Sequence, residues 1–177
     1  LVGMLSLAER RGDQDAFERW LATGLDRRPE SLQLGLIQAR YLMGRGETLK
    51  ALSIAGRLSQ KHPDNPAALE LLGRAQLRAG RAEDAASTFG SLLVQLPGSA
   101  EAYRLLGVAE AAAGNLTRAR EHLEKALELE PEHVAARVSL AELALKDGEP
   151  GQALAVGEAL RGESPDQALG YEVSGAA

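Results

Sequence analysis

Five prolines in this sequence are separated by one constant interval. They lie 34 residues apart, at Pro29, Pro63, Pro97, Pro131 and Pro165. Five glycines keep the same interval, and these are Gly12, Gly46, Gly80, Gly114 and Gly148. Because two unrelated residue types share one period, the period marks a repeating structural unit. We therefore expect stacked short units that bury their apolar surface against their neighbours, rather than one thick core.

The residues between these markers predict two helices in each unit. Apolar residues such as Leu69 and Leu72 recur at helical spacing before Gly80, and a glycine with positive φ ends such a helix. A second helix is expected within two or three residues, with Glu83 in its first turn, where the helix dipole favours a negative charge. Pro97 then stops it, because proline cannot continue a helix. The predicted class is all-α.

Small residues mark the places where the two helices of a unit must approach closely. In the first helices they are Ala39, Gly73, Gly107 and Ala141, and in the second helices Ala51, Ala85, Ala119 and Ala153. The composition agrees, because the chain is 45% hydrophobic but contains only one Trp, three Tyr and two Phe. Leucine and alanine therefore supply most of the apolar mass, which suits thin helix pairs.

Numbered from Leu32, Pro66, Ala100 and Val134, the units resemble the tetratricopeptide repeat family. The third unit carries the pattern of that family as Leu69, Leu72, Gly73, Ala85, Phe89, Leu92 and Pro97. This resemblance implies a right-handed superhelix, an α-α solenoid of antiparallel helix pairs, that holds another protein. The sequence departs from the pattern at several positions, where we expect looser packing: Phe17, Gly35, Gln38, Arg137 and Gly157.

The repeats predict a single array over residues 1–177. Its expected units are 1–31, 32–65, 66–99, 100–133 and 134–167, with a partial unit at 168–177. No polar capping helix is recognisable at either end, and arrays of this kind need such caps. The expectation is that the sequence is a fragment of a longer array.

Few residues are available for catalysis or metal binding. The chain has no cysteine, and none of His62, His122 and His133 has a second imidazole at ligand spacing. We interpret them as surface histidines. Asn115 begins a formal glycosylation sequon, but it follows the glycine turn and is better interpreted as a helix start. We therefore predict no metal, no cofactor and no enzymatic activity in this segment.

The family resemblance also implies that one face of each first helix lines a concave groove. The groove residues that we expect to contact a partner are Leu36, Arg40, Glu70, Arg74, Leu77, Arg78, Arg104, Val108, Glu142 and Lys146. Over the whole implied groove, five basic side chains face three acidic ones, within a chain of net charge −5. One hypothesis is that the arginines bind an acidic segment while the apolar side chains grip it. The alternative is that neighbours such as Glu70 and Arg74 only solvate the surface.

Several partner classes are disfavoured. A net charge of −5 gives no excess of basic residues for nucleic acid, and no apolar stretch is long enough to span a membrane. Chaperone-binding relatives clamp a terminal carboxylate with lysine and asparagine, where this chain has Leu36 and Arg40. The predicted partner is a protein or peptide. End-to-end self-association is a further expectation, because the last helix would lack its neighbour.

The amino-acid sequences of residues 65–77 and 168–172 resemble a narrower group, the bacterial tetratricopeptide proteins of exosortase and exopolysaccharide (PEP-CTERM) systems. It implies a scaffold in the assembly of the bacterial envelope or exopolysaccharide, in the periplasm. The cytoplasm stays open as an alternative. A second functional class also stays open, in which the repeats recruit substrates for a larger enzyme such as a glycosyltransferase.

Overall fold

The computed structural model describes the backbone of residues 2–163, in which ten α-helices and no strands occur. The helices are α1 (Val2–Arg11), α2 (Gln14–Arg27), α3 (Leu32–Gly44), α4 (Thr48–Lys61), α5 (Pro66–Arg78), α6 (Ala82–Gln95), α7 (Ala100–Ala112), α8 (Leu116–Leu129), α9 (Val134–Lys146) and α10 (Pro150–Glu163). The predicted all-α class is confirmed. The helices group into two compact units, with α1–α5 in residues 2–79 and α6–α10 in residues 80–163.

The periodic glycines end the first helix of each pair, as predicted. Their φ angles are positive, from 67° at Gly12 to 87° at Gly114, and no other residue type in the described chain has a positive φ. At Gly46 the left-handed backbone brings two N–H groups back onto the helix end. Gly46 N–H donates to the Met43 carbonyl at 3.1 Å, and Glu47 N–H donates to that of Leu42 at 2.9 Å. These bonds satisfy carbonyls that have no partner inside the helix.

The first helices from α3 onward begin with a capping side chain. Ser31, Asn65, Ser99 and His133 each accept a hydrogen bond from a backbone N–H in the first turn, at 3.2 to 3.4 Å. Serine and asparagine are common caps because a short side-chain oxygen reaches the first turn. Histidine performs this task through Nδ1. Two prolines lie outside the 34-residue series. They are Pro66 and Pro150, which begin α5 and α10, where a missing N–H breaks no helical bond.

In the first unit, the core lies along the line where the helices of each pair meet. Ala39 of α3 and Ala51 of α4 are fully buried in one cluster, which confirms the predicted close approach. Gly35 leaves no gap, because a Cβ at this position would lie 2.8 Å from Leu58 Cδ2. The Leu58 side chain thus occupies the space of the missing large residue, and the looser packing expected at Gly35 is absent.

The second unit shows the close helix contact most clearly at Gly107. A Cβ added there would lie 2.8 Å from Leu123 Cγ and 3.1 Å from the backbone oxygen of Ala119. Phe89 and Leu123 are at most 1% exposed and are among the largest fully buried side chains. Ala141 and Ala153 likewise share a buried cluster. The partial unit predicted at 168–177, and Pro165, lie outside the described residues.

Candidate protein-binding surfaces

The predicted groove residues lie on the first helices of the pairs, which pack side by side within each unit. In the first unit α3 contacts α5, and in the second α7 contacts α9. The face of α3 and α5 carries Leu36, Arg40, Glu70, Arg74, Leu77 and Arg78. The face of α7 and α9 carries Arg104, Val108, Glu142 and Lys146.

Several side chains on the α3–α5 face are already engaged within the chain. Arg74 Nε lies 2.8 Å from Glu70 Oε1, and the two side chains are 39% and 36% exposed. Arg78 Nη1 donates to the backbone carbonyl of Met43 at 3.0 Å. A partly exposed pair of this kind adds little to stability, so a partner could displace it at small cost.

Arg40 differs from these arginines. It is exposed on α3, and it has neither an ion pair nor a side-chain hydrogen bond within the described part of the chain. Leu36, one turn before it, is partly buried against the core of the first unit, and Leu77 is also half-buried. This face therefore offers an unneutralised guanidinium beside apolar surface.

On the α7–α9 face, Arg104 is held tightly. Its Nε and Nη2 each donate to a carboxylate oxygen of Glu101 at 2.7 Å, and its side chain is only 14% exposed. Nη1 also reaches the Ser139 hydroxyl at 3.5 Å. Such a two-pronged bond fixes the guanidinium. Ligand recognition by Arg104 would have to compete with Glu101.

The remaining groove residues of the second unit differ in exposure. Val108 is half-buried, whereas Glu142 and Lys146 are exposed. Lys146 Nζ donates to the backbone carbonyl of Ala111. It thereby repeats, in the second unit, the bond that Arg78 makes to Met43 in the first.

Of two sequence-based interpretations, the helix start at Asn115 is confirmed and the surface position of His133 is wrong. Asn115 directly precedes α8 as its N-cap residue, although its side chain makes no cap bond; instead its Nδ2 donates to Glu110 Oε2 at 2.7 Å. Glu110 is a carboxylate only 8% exposed, which the repeat pattern did not single out. His133 is not an ordinary surface histidine: its side chain is 15% exposed, and Nε2 lies 3.3 Å from Glu101 Oε2. Since Nδ1 accepts the cap bond, the proton belongs on Nε2.

A cleft opens between α1 and α3 in the first unit, with a volume of about 570 Å³. Its apolar lining includes Leu5, Phe17 and Ile37, and its charged lining includes Glu9 and Arg40. Phe17 is the large residue that stands where the repeat pattern requires a small one. It is 6% exposed, so this departure from the pattern contributes a buried wall of the cleft.

Tyr41 and Arg45 form the far side of this cleft. The ring of Tyr41 lies 4.7 Å from that of Phe17, and its hydroxyl donates to Glu18 Oε1 at 2.6 Å. Arg45 Nη1 donates to the Tyr41 hydroxyl and lies 2.5 Å from Glu18 Oε1. The pKa of Arg45 is raised, first by the hydrogen bond with Tyr41 and then by the attraction of Glu18. These bonds join α2 to α3 on this side of the cleft.

Over the described residues, no group of three or more His, Cys, Asp or Glu side chains is placed to hold a metal ion. None of the described helices combines the length and apolar character that a membrane crossing needs.

Comparison with solved structures identifies several repeat proteins with this fold. A thermophilic TPR protein from Thermus thermophilus is 23% identical, with a TM-score of 0.83, over 98% of this chain and 95% of that one. MamA from Desulfovibrio magneticus, residues 41 to the end, is 19% identical, with a TM-score of 0.78, over 92% and 94%. PilW, a type IV pilus biogenesis factor, is 15% identical, with a TM-score of 0.82, over 97% and 80%. At these identities the likeness establishes the fold alone.

Sequence comparison adds one curated relative and one family. The relative, a probable biofilm formation methyltransferase WspC from Pseudomonas putida, is 37% identical over 103 residues. The match covers 56% of this chain but only 24% of that protein. The family profile described as Tetratricopeptide repeat matches residues 42–108 and 110–173. Together with the 34-residue period and the helix pairs, this match shows that the chain belongs to the tetratricopeptide repeat family.

Proposed function

We propose that this chain is a non-catalytic scaffold that binds a peptide segment of a partner protein on the faces of its first helices. The fold supports a protein-interaction scaffold, because within each unit the first helices that pack side by side present an exposed face. The observation that carries the proposal is the state of Arg40, which is exposed and has no partner in the described chain, beside half-buried Leu36. An unneutralised guanidinium next to apolar surface suits a peptide with both acidic and apolar side chains.

The other predicted contacts are proposed as exchangeable ones. On the first unit, Arg74 would leave Glu70 for a carboxylate of the peptide, and Leu77 would contact its apolar side chains. On the second unit, Val108 would provide the apolar contact. Arg104 would contribute only where the peptide competes with Glu101. Arg78 and Lys146 would hold the first helices in place, since both already bind backbone carbonyls.

A random peptide library displayed on phage tests this function. We expect enrichment of peptides that bind the chain with micromolar affinity. Arg74→Glu should weaken their binding about tenfold, the factor for about 1.4 kcal/mol. Arg57→Glu is the matched control, because Arg57 is exposed on the second helix α4. If no peptide is enriched, or if Arg57→Glu weakens binding as much as Arg74→Glu does, the proposal is wrong.

A second candidate function follows from the similarity to the methyltransferase. The 103 residues of similarity cover a quarter of that protein, so this chain would be the recruiting segment of a larger enzyme. The similarity favours a methyltransferase over the glycosyltransferase that we considered from the sequence. Incubation of the full-length gene product with methyl-labelled S-adenosylmethionine would test it. Transfer of label to a protein supports this function, and no transfer counts against it.

Two finer points belong to the same proposal. The exosortase-like sequence segments support a role in the assembly of the bacterial envelope, and fractionation of cells that express the gene product would test this role.

End-to-end association of the chain is supported by Met4 and Leu7 of α1, which are 43% and 42% exposed. Analytical ultracentrifugation should detect dimers that Met4→Lys and Leu7→Lys abolish.

A further inference from the structure

One position of the repeat distinguishes the cleft between α1 and α3 from the contact of α3 with α5 and from that of α7 with α9. Position 13 of the first helix carries Arg78 in α5 and Lys146 in α9. Each side chain donates to the carbonyl 35 residues earlier, at Met43 and Ala111. These bonds tie one first helix to the end of the preceding one. In α3 the same position is Gly44, which has no side chain to make the bond.

The structure contains a backbone carbonyl to which a longer side chain at position 44 would donate a hydrogen bond. An offset of 35 residues from position 44 leads to Glu9, whose carbonyl accepts from Gly12 N–H at 3.0 Å. The Met43 and Ala111 carbonyls accept from Gly46 and Gly114 in the same way. The acceptor is therefore conserved in geometry while the donor is missing. Gly44 lines the cleft, together with Glu9 and Gly12.

The charges of the cleft are only partly matched. Arg45 is bonded to Glu18 and Tyr41, and Asp13 accepts from Ala16 N–H at 2.9 Å as the cap of α2. Glu9 and Arg40 both line the cleft and are exposed, and no ion pair or side-chain hydrogen bond joins either to a described residue. One negative and one positive group therefore flank an apolar lining of Leu5, Phe17 and Ile37.

We infer that this cleft is a subsite for a partner peptide in which one bulky apolar residue lies between an acidic and a basic residue. The apolar side chain enters between α1 and α3, the acidic side chain pairs with Arg40, and the basic side chain pairs with Glu9. The volume of about 570 Å³ is in the range of pockets that bury a ligand group. This inference rests on the proposed function, and it specifies the part of the peptide that the first unit binds.

The probe is the blocked peptide acetyl-Gly-Asp-Phe-Lys-Gly-amide, added to isotope-labelled chain and followed by NMR. We expect amide shifts at α1 and α3. Gly44→Arg should abolish them, because the new side chain reaches the Glu9 carbonyl and fills the cleft. A Cβ at Gly44 meets no heavy atom within 4 Å, so the variant should fold. Its thermal midpoint, which should not fall, separates loss of the site from loss of structure.

Two controls make the test specific. Gly44→Ala adds a side chain too short to reach the carbonyl, and it should keep the shifts. Arg40→Glu should weaken the binding of the Asp-Phe-Lys peptide about tenfold. The Arg40→Glu variant should also bind acetyl-Gly-Lys-Phe-Lys-Gly-amide more tightly than the unmodified chain does. Shifts that are absent, lie outside α1 and α3, or persist in Gly44→Arg would overturn the inference. If phage-selected peptides still bind in that case, the proposed function survives and only the subsite is wrong.

Discussion

Arg78 Nη1 donates a hydrogen bond of 3.0 Å to the backbone carbonyl of Met43, which lies on the preceding first helix. Lys146 makes the corresponding bond to Ala111 in the other unit. The Met43 carbonyl also accepts from Gly46 N–H, so the charged side chain adds a second donor at a helix C-terminus. That end of the helix carries partial negative charge, which a cation stabilises.

Replacement of Arg78 by methionine should therefore destabilise the first unit. Methionine keeps the apolar stem but removes the donor, and we expect a loss of about 1 kcal/mol in the free energy of unfolding. Urea denaturation followed by circular dichroism measures it. Arg57→Met is the matched control, because Arg57 is exposed on α4, and it should change the free energy by less than about 0.5 kcal/mol. Equal effects of the two variants would contradict the stabilising role of Arg78.

A turn glycine and an uncrowded helix glycine should respond oppositely to alanine. Gly114 has a φ of 87°, so Gly114→Ala should destabilise the second unit by about 1 to 2 kcal/mol. Gly90 lies inside α6, and a Cβ there meets no heavy atom within 4 Å. Gly90→Ala should stabilise the chain by about 0.5 to 1 kcal/mol, because alanine is the better helix former. Thermal unfolding of both variants checks the signs, and a stabilising Gly114→Ala would disprove the capping argument.

Two buried helix glycines should also differ from each other. At Gly107 a new Cβ meets the backbone oxygen of Ala119 at 3.1 Å, and the backbone cannot move without shifting α8. Gly107→Ala should cost about 1 to 3 kcal/mol. At Gly35 the contacts are with the end of the Leu58 side chain, which can change rotamer. Gly35→Ala should change the free energy of unfolding by less than about 1 kcal/mol. Chemical denaturation of both variants would show whether a contact with backbone costs more free energy of unfolding than a contact with a side chain.

The carboxyl group of Glu47 gives a pH-dependent prediction. Its pKa is lowered, first by the hydrogen bond from Lys50 Nζ to Oε2 at 2.6 Å. A lowered folded pKa means that the interaction stabilises the fold above the unfolded pKa and is lost as the pH falls through the folded pKa. An NMR titration should place the Glu47 midpoint below the ordinary glutamate value. Lys50→Gln should raise it again, whereas Lys61→Gln, at the other end of α4, should leave it unchanged.

The sequence predicted the backbone of this protein far better than its side-chain contacts. Gly46 and Gly80 locate helix ends because only glycine adopts the left-handed turn without strain, and Ala39 and Ala51 locate a helix contact because larger residues would not fit. The partners of Arg78 and Arg104 could not be predicted. Each guanidinium has several acceptors within reach, and the alternatives differ by less than about 1 kcal/mol.

The cleft was beyond sequence reasoning for a related reason. Phe17 is visible in the sequence as a departure from the repeat, but a departure does not say whether a neighbouring side chain will fill the space. Leu58 fills it at Gly35, whereas at Gly44 a cleft stays open. The outcome depends on side chains from two other helices, and those are adjacent only after folding.

The five left-handed glycine turns have a consequence for how such a chain changes during evolution. Since the glycines recur every 34 residues and each has a positive φ, a crossover between two copies of the gene at any of these glycines joins helix ends that are in the same phase. The product gains or loses whole units and keeps the phase of every buried face. Array length can therefore vary freely, while a slip of a single residue would expose the core.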